Sequence, residues 1–342
     1  MKKKLLAAIL TVAAVCGSVA PVYAADSELV LYTWEGMFPQ EVLDGFEEET
    51  GCKVVYSNFD TDETMLEKVS MAKGGDYDVV IADDYILEKI IEEGLAAKLD
   101  KGKISNWDNI NPLYQGQFYD ENDEYTVPYG AGIPLIVYDP ELVDIDIKGY
   151  NDLWDASLED SIALTANYRV LNGITNLALG QDFNDQNTDD IAKTGEKLLE
   201  LAPNVRLIQD DNTQNALLNG EASVAFLYTS QVTAALAENP DLKVVYPEEG
   251  LGFGIMGMFI PSEAPDKDAA YSFMDYIMQP EVAAKCTDYI GYYSTNKAAD
   301  ELVNPDLVVP DDVTKGEIVQ NVSQDADAQY QKNWTEFKAA CD

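Results

Sequence analysis

The chain has 342 residues, 46% of them hydrophobic and 10% aromatic, enough for two ordinary domains or one large one with a packed core, which excludes a disordered protein. It carries 62 acidic against 22 basic residues, a net charge of −40, and such a field repels nucleic acid and anionic membrane surfaces. It contains no histidine, which removes Ser-His-Asp and Cys-His catalysis, facial histidine metal triads and the common zinc sites.

In chain order, residues 1–24 read as a secretory signal. Lys2, Lys3 and Lys4 precede an apolar run from Leu5 to Cys16, and Val22-Tyr23-Ala24 supplies small residues at the cleavage positions. Removal leaves 19 basic residues against 62 acidic ones and an exported, extracytoplasmic or periplasmic protein. A lipid anchor at Cys16 ranks second, because Val15 suits a lipidated cysteine poorly. No later stretch approaches the ~20 apolar residues of a spanning helix.

From residue 26 the pattern alternates strand and helix. An apolar run from Glu28 ends at Trp34-Glu35-Gly36, and Val42, Leu43 and Phe46 then recur at helical spacing until Gly51. A strand over Lys53 to Ser57, a helix over Asp60 to Lys73, a strand over Tyr77 to Ala82 and a helix over Tyr85 to Glu93 follow. Two strand-helix-strand units in so short a span predict a mainly parallel sheet. Trp34 and Glu35, with Asp83, Asp84 and Tyr85, then fall at the carboxyl ends of two strands, the edge where open α/β sheets bind ligands; Trp34 as a simple core cap is an equal reading.

Residues 101–125 read as loop, and 125–138 as two extended runs broken by Gly130 and Gly132, a crossover into a second α/β unit. Its strands are expected near 162–165, 205–208, 224–228 and 244–246, with helices near 169–179, 188–201, 212–219 and 231–237. Gly252-Phe-Gly254-Ile-Met-Gly257 matches GxGxxG, but Met258-Phe-Ile-Pro261 follows where a dinucleotide site needs a helix; a return connection between domains is the better reading. Helices over 264–278, 280–289 and 327–340 close the chain, the last with Tyr330, Trp334 and Phe337 at helical spacing for docking. Cys52, Cys286 and Cys341 fit either one bridge, Cys286 to Cys341, or buried thiols.

Tyr32-Thr-Trp34, Glu49-Thr-Gly-Cys-Lys-Val-Val-Tyr-Ser57, Glu63-Thr-Met65, Tyr77-Asp-Val-Val80, Glu93-Gly94, Leu99-Asp100, Asp152-Leu-Trp154, Pro203-Asn-Val205 and Ile290-Gly-Tyr292 stand in the order seen in the spermidine/putrescine-binding proteins of ABC importers. The chain resembles that family from about residue 28 to 300, most specifically in its first third. The resemblance implies a type II periplasmic-binding-protein clamp, an α/β fold of two lobes with mixed, mostly parallel sheets joined by crossover strands. Lobe one would be 26–131 plus 255–296, and lobe two 132–254 plus 297–342. It also implies a small amine ligand held between the lobes, a membrane permease as partner, a monomer, and no catalysis, cofactor or metal.

By that resemblance the aromatic walls fall on Trp34, Tyr85, Tyr228 and Tyr292. The family's ammonium-binding carboxylates align near Asn167, Val170 and Met256, none of them charged, and two further aromatics align with Met37 and Gly254. An ammonium out of water needs a counter-charge, so either Glu35, Asp83 and Asp84 supply it or the guest is another nitrogen solute, such as an amino acid or monoamine. Two other readings are a ferric clamp using Tyr292 and Tyr293, and an exported hydrolase pairing Glu35 with Asp83 or Asp84.

Overall fold

The computed structural model describes residues 27–209, 212–310 and 316–341; the expected signal and Cys16 lie outside the described residues. The first unit runs β1 (Glu28–Thr33), α1 (Gln40–Thr50), β2 (Lys53–Asn58), α2 (Asp62–Ala72), β3 (Val79–Asp83) and α3 (Asp84–Glu92). β1 lies between β2 and β3, parallel to both. Both faces of this sheet are covered, as a parallel sheet requires. Leu29, Leu31, Val79 and Ile81 pack on one side with Phe46 and Phe273, while Tyr32, Val80 and Ala82 pack on the other with Ile86 and Ile90. The period-two alternation in the sequence is therefore the alternation between two cores.

Gly51 ends α1 in the left-handed conformation at φ +75°, its N–H donated to the Glu47 carbonyl. A side chain is strained there, so Gly51→Ala is expected to cost about 1 kcal/mol, read as a lower urea midpoint with an unchanged slope.

After three short 3-10 turns between Lys101 and Tyr114, β4 (Thr126–Gly132) and β5 (Leu135–Tyr138) form the first crossover. The second unit follows: β6 (Ile162–Leu164), α4 (Tyr168–Ala178), α5 (Thr188–Leu201), β7 (Val205–Ile208), α6 (Gln214–Leu218), β8 (Val224–Leu227), α7 (Thr229–Glu238) and β9 (Lys243–Val245). Its sheet has the order β7-β6-β8-β5-β9, with β6 parallel to its neighbours and β5 antiparallel to its own. The chain returns through β10 (Gly252–Phe259), antiparallel to β3 and β4. The GxGxxG match is thus a strand, with no helix opening at its third glycine.

α8 (Lys267–Ile277) and α9 (Pro280–Ile290) complete the first lobe. The segment 297–309, expected with the second lobe, instead packs Ala299 and Val303 against Ala283 and Ala284 of α9. The tail then makes a third crossing that sequence patterning did not reveal: β11 (Glu317–Ile318) pairs with β10, and α10 (Gln324–Cys341) docks on α4 and α5 through buried Tyr330 and Phe337. Two-residue β11 is too short to leave a period. A continuous core runs between the lobes through Ala131, Ile133, Leu135, Phe253 and Ile255. Cys52 and Cys286 are buried thiols, so Cys286 is not half of a bridge. Among the described residues no helix is long and apolar enough to cross a membrane.

Candidate functional site

A cavity of about 890 Å³ lies between the lobes. It opens where helices start after sheet strands: α3 after β3, α4 after β6, and α7 after β8, the edge at which α/β sheets bind ligands. Asp83, Asp84, Tyr85, Met256 and Tyr292 line it from the first lobe, and Asn167 and Tyr228 from the second. Seven of the nine residues singled out from the sequence therefore meet in one space.

Trp34 and Glu35 do not line it. The turn after β1 is drawn back onto the first lobe: the Tyr56 hydroxyl donates to the Trp34 carbonyl at 2.5 Å and accepts from Met37 N–H at 3.3 Å, and Tyr129 donates to the Met37 carbonyl. The Trp34 ring lies half-buried on Phe59, centroids 4.9 Å apart, while Glu35 points into solvent. Trp34 is thus a core cap in this conformation, which corrects the expectation that this pair shares the ligand edge with Asp83 and Asp84.

Glycines let the aromatic wall form. A Cβ on Gly130 would sit 2.9 Å from the Met256 methyl, and one on Gly132 would sit 3.4 Å from the Tyr292 ring. The two residues that break the extended pattern are there so that Met256 and Tyr292 can lie against the crossover. Tyr293, next in sequence, turns the other way into the core with its hydroxyl 3.4 Å from that of Tyr246. The two neighbouring phenols therefore do not converge on one ion.

The carboxylates at the mouth of α3 differ in their duties. Asp84, 4% exposed, accepts Tyr85 N–H at 2.7 Å and Ile255 N–H at 2.8 Å, joining α3 to the β10 crossover. Asp83 occupies the N-cap position of α3 but makes no capping bond. Behind them Asp62, at the start of α2 and also 4% exposed, has a buried Oδ1 without a hydrogen-bond partner. Burial, then the charge of Asp83, pushes Asp62 up to about 8; burial, then the charge of Asp84, pushes Asp83 up to about 7. Burial also raises Asp84 to about 7 against the pull of its two N–H donors. A hydrogen bond from Asp62 works against these effects and pulls Asp83 down. Every charge acting on the three comes from another acid: Glu63 of α2, Glu88 of α3, or one another. The Tyr85 hydroxyl donates to Glu63 at 3.3 Å, and Tyr85 and Tyr292 are held protonated by burial and by these acids.

The second lobe contributes groups that local patterning did not mark. Asn167 caps α4, its Oδ1 accepting from Arg169 N–H and Val170 N–H at 3.1 Å each. Arg169 lines the cavity and donates to Asn184 at 3.1 Å and to the Gln320 carbonyl at 3.3 Å, while its buried Nε has no partner. Gln320, Asn321 and Asp327 arrive with the tail, and Asn321 reaches across to Glu88 of the first lobe at 2.7 Å. Nothing in the sequence marks Asp62 within the helix expected from Asp60, and no nearby signal announces that residues 320–327 fold back over the cleft.

A two-lobed clamp with three crossings and a ligand-sized space lined by tyrosines and acids defines a solute-binding protein. Residues 41–320 match the family of bacterial extracellular solute-binding proteins. The spermidine/putrescine-binding periplasmic protein of Salmonella typhimurium is 31% identical over 340 residues, 97% of each chain. The putrescine-binding periplasmic protein PotF of Escherichia coli is 30% identical over 341 residues, 92% of this chain and 91% of that one. Among solved structures, the spermidine/putrescine ABC transporter substrate-binding protein PotD of Streptococcus pneumoniae, in complex with calcium and HEPES, superposes with a TM-score of 0.84 at 29% identity, covering 92% of this chain and all of that one. The chain belongs to the bacterial extracellular solute-binding protein family, and it is a binding protein rather than an enzyme.

Proposed function

We propose that the cleft captures a polyamine of the putrescine and spermidine class and presents it to the membrane permease of an ABC importer, with the protein acting as a monomer. The observation that carries this reading is the meeting, in one cavity, of the acids Asp83 and Asp84 with aromatic faces at Tyr85, Tyr228 and Tyr292. Carboxylates receive an ammonium once it leaves water, and ring faces cover a methylene chain and attract its cationic ends. Relatives over 82% to 97% of the chain are spermidine/putrescine-binding proteins, which supports the same class. Closure is a population shift: a guest that touches both walls stabilises the closed form by its contacts with the second.

Titration calorimetry with putrescine and spermidine tests this directly; heat with either supports it, and silence from both sinks it. Removing one ring isolates the wall's share. Tyr292→Ala is expected to weaken putrescine about 5- to 30-fold, the worth of roughly 1–2 kcal/mol of cation–π and methylene contact, with little change in melting temperature because Tyr292 stands partly open to the cavity.

A further inference from the structure

The two walls of the cavity have opposite hydrogen-bonding character. On the first lobe Glu63, Asp83 and Asp84 line it and, among the described residues, no lysine or arginine does, so that wall accepts. On the second lobe the first turns of α4 and α7 face the space, and helix starts carry the positive end of the peptide dipoles. Asn167 spends its oxygen on two backbone N–H groups, which leaves its Nδ2 to the cavity with no partner among the described residues. Arg169 adds a guanidinium with a buried, unpartnered Nε. Val170 beside them is apolar, as is Met256 facing from the first lobe. The carboxylate on the second-lobe side, Asp327, accepts from Tyr168 at 2.7 Å and Gln331 at 2.7 Å and faces the charge of Arg169, so the part of the second wall at the first turn of α4 is balanced near neutral and donates.

An ammonium only donates. One end of a diamine is well met by Asp83; the other, reaching the mouth of α4, would meet the Asn167 amide nitrogen, the Arg169 guanidinium, a positive dipole end and apolar Val170. Resting on the amine reading above, we infer that the preferred guest is a polyamine with one charged end and one uncharged, hydrogen-bond-accepting end, that is, a mono-N-acylated diamine or polyamine. Its ammonium sits at Asp83 and its amide carbonyl accepts from Asn167 at the mouth of α4. A free carboxylate end fits less well, because Asp327 already offsets the guanidinium.

The test compares putrescine, N-acetylputrescine and 4-aminobutanoate by titration calorimetry on the mature protein and on Asn167→Asp, which keeps the helix cap but replaces the donor with an acceptor. The wild type is expected to prefer N-acetylputrescine over each of the others by about tenfold or more, the value of one satisfied against one frustrated polar contact, and Asn167→Asp to shift the preference toward putrescine by a similar factor. Wild type binding putrescine or 4-aminobutanoate as tightly as the acetylated amine overturns the inference; in the putrescine case the polyamine reading stands. No binding of any amine, spermidine included, overturns both. An unchanged order in Asn167→Asp, with that variant folded by its melting curve, overturns the assignment of the amide end to Asn167.

Discussion

Asp83→Asn is expected to weaken amine binding by roughly 30- to 1,000-fold, the largest effect of any single change in the cleft, while leaving the melting temperature of the ligand-free protein the same or higher. Removing one partner of a desolvated charge pair costs about 2–4 kcal/mol, and Asp83 is the carboxylate at this edge with no backbone bond to satisfy. Its neighbour separates the two kinds of duty. Asp84 spends both oxygens on the N–H groups of Tyr85 and Ile255; asparagine there has one acceptor for two donors, so Asp84→Asn is expected to lower the melting temperature as well as affinity. Calorimetric titration and thermal unfolding of both variants check the division. Equal affinity in Asp83→Asn and wild type would remove Asp83 from the site.

How far the sequence foretold this edge depends on what made each part legible. β3 and α3 declare themselves through Val79-Val80-Ile81 and the apolar positions Ile86, Leu87 and Ile90, so the place of Asp83 and Asp84 at a strand's carboxyl end follows from local pattern. Trp34 and Glu35 sit at the equivalent end of β1, yet Tyr56, 22 residues beyond Trp34, and Tyr129, 92 residues beyond Met37, pull their turn back onto the lobe. That is a tertiary contact, and no spacing encodes it. Two segments illustrate the same limit. α5 was legible to the residue, because Ile191, Leu198 and Leu201 recur at helical spacing behind the Asn187 cap. The segment 317–324 carries no period; its course is fixed by β10 and by Asn184, which donates to the Ile318 carbonyl at 2.7 Å and accepts from Gln320 N–H at 2.8 Å. The donor wall was hidden for a related reason. Asn167, Val170 and Met256 read as losses when compared with a carboxylate pattern, and only the cap geometry shows Asn167 presenting its nitrogen.

The second large effect is in pH. At neutral pH the ligand-free cluster of Asp62, Asp83 and Asp84 holds protons that an arriving ammonium must displace, because the raised values of about 7 to 8 reflect burial among like charges and a cationic guest supplies what is missing. Binding therefore releases protons, and affinity rises with pH. Between pH 6 and pH 8.5 the association constant is expected to increase about 10-fold if one proton leaves and about 100-fold if two do, before deprotonation of the amine itself reverses the trend near pH 10. Titrations in buffers of different ionisation enthalpy count the protons directly. Stability of the ligand-free protein runs the other way. A carboxyl whose folded value lies above its unfolded one near 3.8 binds more protons when folded, so its contribution is fully present below about pH 4 and is lost as pH rises through 7 to 8. The melting temperature without ligand is thus expected to fall by several degrees from pH 6 to pH 9, and saturating amine to flatten that fall. Asp62→Asn provides the control, since its amide still donates to Asp83 but cannot titrate: its melting temperature and amine affinity should both vary less with pH than those of the wild type. The same pH dependence in Asp62→Asn as in wild type would place the coupled protons elsewhere.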